Sequence, residues 1–144
     1  MKRLAAIGCA LVLVGCSSTS DLLADTSWQI THVYDDPGLP TAPAKPTAPP
    51  TLVLGRTSYT GSSQCGQWRG ELTWVDDTTA DFEKPDILRT TDCTDDERVF
   101  DQRLRRQVRG PLRLEVKDDA LRGYVIGKTP AGQAPGGFAA VPSA

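Results

Sequence analysis

His32 is the only histidine of the 144 residues, so any Ser-His-Asp or Cys-His machinery would have to be built on it. Nucleophilic catalysis needs a base held beside the nucleophile. Strand alternation puts His32 on the parity of Trp28 and Ile30, a half-buried sheet position rather than an active-site one. Adjacent carboxylates occur at Asp76/Asp77, Asp95/Asp96 and Asp118/Asp119, and each pair has a simpler role as turn former or helix N-terminus. No Asp-x-Asp-x-Asp-Gly loop for calcium is present. No phosphate-cradling glycine loop follows a strand, since Gly132, Gly136 and Gly137 fall in a Gly/Pro/Ala-rich tail. The residues thus imply no catalytic set, no cofactor and no metal site, and a protein that is not an enzyme.

The cysteines carry clearer chemistry. Lys2 and Arg3 precede an apolar run from Leu4 to Val14, and Leu13-Val14-Gly15-Cys16 closes it. A basic end, about 7–15 apolar residues and small residues at the cut mark an export signal, and the run is shorter than the ~20 residues a span requires. An ordinary secretory signal is the plainer reading. The order of residues, however, resembles the lipobox of bacterial lipoproteins, which implies a diacylglyceryl group on Cys16, and Ser17 to Ser20 would form a polar spacer. Two or three acyl chains, at ~0.8 kcal/mol per buried CH₂, anchor a small domain firmly. Residues 1–15 are then a signal peptide that removes Cys9, and 16–21 a lipidated N-terminus and spacer. Cys65 and Cys93 remain as an even pair in an oxidising compartment, where a disulfide is expected. Closing that loop would contribute ~3 kcal/mol in the chain-entropy model. Zinc wants four ligands, and these two thiols with one histidine do not supply them.

Removing Lys2 and Arg3 from 16 basic and 18 acidic residues leaves 14 against 18, a net charge of −4. That balance argues against nucleic acid, whose binding needs a basic patch, and against a polybasic grip on anionic lipid.

Positioning elements follow from periodicity. Ser27 to Tyr34 alternates as a strand. Residues 35–50 carry prolines at 37, 40, 43, 46, 49 and 50, which cannot sit inside a sheet; the expectation is a surface loop, or else a recognition segment. Thr51 to Leu54 and Thr57 to Thr60 form a hairpin turned at Gly55-Arg56, followed by a turn at Gly61 to Gln64. Gln67 to Val75 is a strand that places Trp68, Leu72 and Trp74 on one face. Trp68 and Trp74 are either core packing or an exposed aromatic binding surface for a glycan or peptide. Thr79 to Phe82 and Ile87 to Thr91 read as two further short strands. Thr94-Asp95-Asp96-Glu97 fits a capping box, and Val99, Phe100, Leu104 and Val108 form the apolar stripe of a helix that Gly110-Pro111 ends. Arg98, Arg105, Arg106 and Arg109 lie off that stripe, as a solvated face or one that meets an acidic partner or lipid head groups. Leu112 to Val116, the turn Asp118-Asp119 and Leu121 to Ile126 make a final hairpin, and residues 128–144 read as a loose tail. An amphipathic helix must cover something apolar. The expected fold is therefore α+β, an antiparallel sheet packed against a single amphipathic helix.

Gly61-Ser62-Ser63-Gln64-Cys65-Gly66-Gln67-Trp68-Arg69-Gly70, followed by the Thr90 to Cys93 segment ahead of the helix, resembles the META domain of HslJ-like bacterial lipoproteins. Cys65, Trp68 and Gly70 match the first motif and Cys93 the end of the second; Gly66 stands where the family has Asn, and Arg89 where it has Thr. The likeness spans Leu22 to Ile126 in a domain of residues 22–127. It implies an α+β fold in the cell envelope, linked in some members to stress or antibiotic tolerance, and no established chemistry. The functional expectation is a non-enzymatic envelope lipoprotein, exported and held to a membrane through Cys16, with a stress- or envelope-related binding role. An inhibitor or binding module for a secreted partner such as a hydrolase is the alternative, and a small hydrolase comes third.

Overall fold

The computed structural model describes residues 19–36, 39–127 and 132–143. The signal segment, Cys9, Cys16 and most of the polar spacer lie outside the described residues. Two helices and nine strands follow in the order α1 (Thr19–Leu23), β1 (Thr26–Asp36), β2 (Leu39–Thr41), β3 (Thr51–Leu54), β4 (Ser58–Ser63), β5 (Gly66–Trp74), β6 (Thr79–Thr90), α2 (Asp95–Gln107), β7 (Gly110–Lys117), β8 (Ala120–Val125) and β9 (Gly137–Pro142).

The expected α+β sheet with a helix laid on it is not what forms. Strands β1 and β3 to β9 run antiparallel, each beside the next in the chain, and β9 pairs back onto β1. The result is a closed eight-stranded up-and-down barrel, an architecture that removes free edges by closure. The strand responsible lies in the segment read as a loose tail. Its glycines, alanines and prolines suggest disorder, yet β9 is covered on both sides, by β8 and by β1, and Phe138 is fully buried.

An eight-stranded barrel is just wide enough for side chains to fill it, with large and small residues alternating. Three cross-strand pairs do this here: Tyr59 opposite Gly70, Trp68 opposite Gly61, and Phe138 opposite Gly123. A Cβ on any of the three glycines would run into the facing ring. Tyr59 and Phe82 meet at 4.9 Å between ring centroids, within the favourable range for tilted aromatic pairs. The short α1 buries Leu23 completely.

Local register corrects several further expectations. A bulge between Ile30 and His32 of β1 reverses the alternation, as an extra residue must. Trp28, Ile30 and Val33 are buried, and half-buried His32 leaves their parity. The Gly61 to Gln64 turn is shorter than expected, since β4 continues to Ser63. The two short strands after Asp77 are one, β6, bent at Lys84, whose φ is +48°. The proline-rich stretch contains β2. Strand β9 lines one edge of β1, so β2 and β3 share the other edge. They are two pieces of one partner strand, parted by the loop of residues 42–50. Pro40 is tolerated because β2 is a three-residue edge piece. The turn at Asp118 and Asp119 forms as read, with φ of 51° and 60°, as a two-residue hairpin turn prefers.

Candidate binding groove

The capping box closes as the sequence predicts. Thr94 Oγ1 accepts from the Glu97 amide at 3.2 Å, and Glu97 Oε2 accepts from the Thr94 amide at 3.0 Å. Phe100, Leu104 and Val108 then turn inward and are buried, so α2 caps the end of the barrel where β6 ends and β7 begins.

Three tethers fix its position. Cys65, in the β4–β5 turn, is disulfide-bonded to Cys93, just ahead of the helix. Asp101, 5% exposed, accepts from Ser63 Oγ at 2.6 Å and from Arg105 Nε at 2.9 Å. A buried carboxylate is costly unless paired, and both of its oxygens are used. On the opposite side Arg103 reaches Thr41 Oγ1 at 3.3 Å and Asp35 at 3.4 Å. The proline-rich loop lies along that side, with Pro43, Ala44, Lys45, Ala48 and Pro50 about a crevice shared with Glu97 and Phe100.

Between α2 and β6 a groove of about 370 Å³ remains open. Trp68, Pro85, Ile87 and Val108 give it an apolar lining, and Arg105, Arg106 and Arg109 give it a cationic rim; Asp86 is the one acid among its lining residues. A narrower crevice continues past Gln67, Arg89 and Thr90 to Cys65. Arg105 is held by Asp101, and Arg106 lies 4.0 Å from Asp35 with its side chain 70% exposed. Arg109 makes no ion pair among the described residues. The concentration of guanidinium groups is local, in a chain that is net acidic. Clefts lined by one sign of charge focus the field and draw in the opposite sign.

The residues singled out from sequence are scattered. Trp68 is buried in the barrel and contributes to the groove lining, while Trp74, on the same face of β5, is partly buried against the core. They do not form an exposed strip. His32 sits beside Tyr34 at 6.4 Å between ring centroids. Asp76 accepts the backbone amides of Thr78 and Thr79 at 2.9 and 2.7 Å, and these bonds, Thr78's first, hold its carboxyl below the usual carboxylate range. Burial pushes the Tyr59 hydroxyl above its ordinary range, with Arg109 opposing. Among the described residues no three His, Cys, Asp or Glu side chains gather as a metal site, and no helix is long and apolar enough to cross a membrane.

Asp101, Pro85 and Asp86 were not legible as site residues. A signal for Asp101 existed: it lies three residues before Leu104 and seven before Val108, on the apolar stripe, with an arginine at i+4.

No family model and no curated protein matches the chain. Two solved structures are similar to it in fold. An NMR structure of a protein from Burkholderia xenovorans superimposes with a TM-score of 0.62 at 16% identity, covering 97% of this chain and 99% of that one. A second NMR structure gives a TM-score of 0.56 at 14% identity, with 85% and 92% covered. At such identity the likeness extends to the fold alone.

Proposed function

We propose that this chain is an exported, lipid-anchored envelope protein whose barrel is a non-catalytic binding module, and that the α2–β6 groove receives an acidic partner. The observation that carries the reading is the rim of Arg105, Arg106 and Arg109 over an apolar lining. Apolar surface supplies affinity there, and the charges select the partner and raise its encounter rate. The Cys65–Cys93 bond fits an oxidising compartment. The lipobox-like Leu13-Val14-Gly15-Cys16 supports an anchor at Cys16, and the residues shared with META domains support an envelope role in stress tolerance. The proline-rich loop, packed against α2, serves chiefly as a brace in this reading, and β9 as barrel wall.

The test is direct. Full-length protein is titrated with an acidic peptide of alternating Glu and Val, and separately with its Lys/Val counterpart. The acidic peptide binds, and binding weakens as salt is raised. An Arg106→Gln/Arg109→Gln double variant, which spares the Asp101–Arg105 tether, loses at least about tenfold in affinity, or ~1.4 kcal/mol, with its melting temperature kept. Equal binding of both peptides overturns the groove reading. The anchor has its own check: acylated Cys16 in the mass spectrum of the membrane-bound protein, and release from the membrane in Cys16→Ser.

A further inference from the structure

We infer that the groove takes its partner by strand addition: an extended acidic segment of a partner protein pairs along the free edge of β6 at residues 86–90. The inference rests on the binding-groove reading above and adds the mode of recognition to it.

The barrel is not closed over its whole height. On one edge β6 pairs with β5 along nearly its full length, from Ala80 to Thr90. On the other edge it pairs with β7 only from Thr79 to Phe82. Beyond Phe82 the chain turns through α2 before β7 begins at Gly110, so the upper half of β6 has no second neighbour among the described residues. That half is also irregular. The four residues of β6 from Glu83 to Asp86 lie opposite the three from Glu71 to Arg69, a second shift falls at Leu88, and Lys84 takes a positive φ. All residues from 84 to 90 are exposed.

A helix cannot heal such an edge, because its own backbone groups are bonded internally. The N–H and C=O groups of residues 86–90 that face away from β5 therefore face the groove, and an open edge of this kind is a template for another extended chain. Pro85 lacks an N–H and Lys84 is charged, both of which blunt an edge; beyond them the edge carries Asp86 and Arg89 and one further ladder irregularity at Leu88. Five residues extend about 16 Å at ~3.3 Å each, enough for a short peptide strand.

The surroundings select the occupant. Ile87 is the cross-strand partner of Trp68, and both contribute to the groove lining, so it belongs to the groove face. Leu88, 44% exposed, is the extra residue of β6 where the ladder steps from Trp68–Ile87 to Gln67–Arg89. An added strand thus meets the apolar side chain of Ile87 on the groove face, with exposed Leu88 next along the edge. On the groove face it also meets the guanidinium groups of Arg105, Arg106 and Arg109 across the gap. The complementary segment is extended, with acidic and apolar residues alternating on one face. A second copy of this chain fits less well, because its own β6 edge would bring Lys84, Arg89 and the same arginines against their counterparts.

The experiment uses isotope-labelled full-length protein in detergent and the Glu/Val peptide, together with two analogues N-methylated on odd or on even amides. Methylation removes hydrogen-bond donors and leaves side-chain charge unchanged. The parent peptide is expected to slow amide exchange within residues 86–90. One methylated parity should weaken binding at least about tenfold, the factor for one or two lost hydrogen bonds, while the other stays within about threefold of the parent. If both analogues bind like the parent, strand addition is wrong and the acidic groove stands. If the parent binds no better than the Lys/Val peptide, both readings fall. Protection of residues 86–90 that rises with protein concentration in the absence of peptide also overturns the inference, because a second copy would then be the occupant.

Discussion

Phe138→Ala separates a barrel closed by β9 from a domain with a loose tail. Phe138 is fully buried and stands across from Gly123, which has no side chain to move into vacated space. The ring removes roughly 100 Å² of apolar surface from water, worth about 2.5 kcal/mol at ~25 cal/mol per Å². If about half of a roughly 100 Å³ void persists, the cavity adds about 1 kcal/mol at ~24 cal/mol per Å³. The expected loss is therefore about 3–4 kcal/mol, within the usual range for burying and then deleting an aromatic ring. Urea or guanidinium unfolding followed by tryptophan fluorescence reads it as a lower midpoint with an unchanged slope. Val141→Ala, on the same strand at 37% exposure, is the control and should cost well under 1 kcal/mol. A loss below 1 kcal/mol for Phe138→Ala would refute the reasoning, since a side chain on a loose tail makes no such contribution.

Other outcomes follow from the same structure. Cys65 and Cys93, 28 residues apart in sequence, should contribute about 3 kcal/mol through restriction of the unfolded chain; paired denaturation curves with and without reductant measure it. Gly61→Ala would drive a methyl group into the Trp68 ring and cost about 1–3 kcal/mol as overpacking, with a shifted Trp emission as its marker. Asp76 has its carboxyl pKa depressed by the amides of Thr78 and Thr79, so its contribution is complete above the ordinary carboxylate range. That contribution is lost as pH falls through the lower folded-state value. Carboxyl NMR titration shows the depressed midpoint directly, and Asp76→Ala should flatten the acid limb of the stability profile. Tyr59 is shifted the other way: the folded state keeps its proton longer, so stability falls as pH rises above the ordinary tyrosine range, an effect absent in Tyr59→Phe.

The elements whose partners lie within a few residues could be read directly from the chain. Thr94 and Glu97 cap their own helix, and Asp118-Asp119 turns its own hairpin. The stripe of Phe100, Leu104 and Val108 announces a buried helix face. The pairing of Cys65 with Cys93 followed from counting thiols in a chain expected to be exported, and the structure places them in one bond.

What those features assemble into depended on contacts between residues far apart in sequence. A glycine- and alanine-rich strand carries little periodic signal of its own, and β9 exists because β8 and β1 each offer it an edge. Alternation put His32 at a half-buried position on the parity of Trp28 and Ile30; it is half-buried, but a bulge in the pairing with β9 moves the parity by one. Asp101 was one more charge on an Arg-rich helix until Ser63, 38 residues away, came within 2.6 Å. The open edge of β6 depends on where β7 stops pairing, which no property of β6 encodes. Local hydrogen bonds and periodicity are written residue by residue, whereas closure, register and the groove are properties of pairs that only the folded chain brings together.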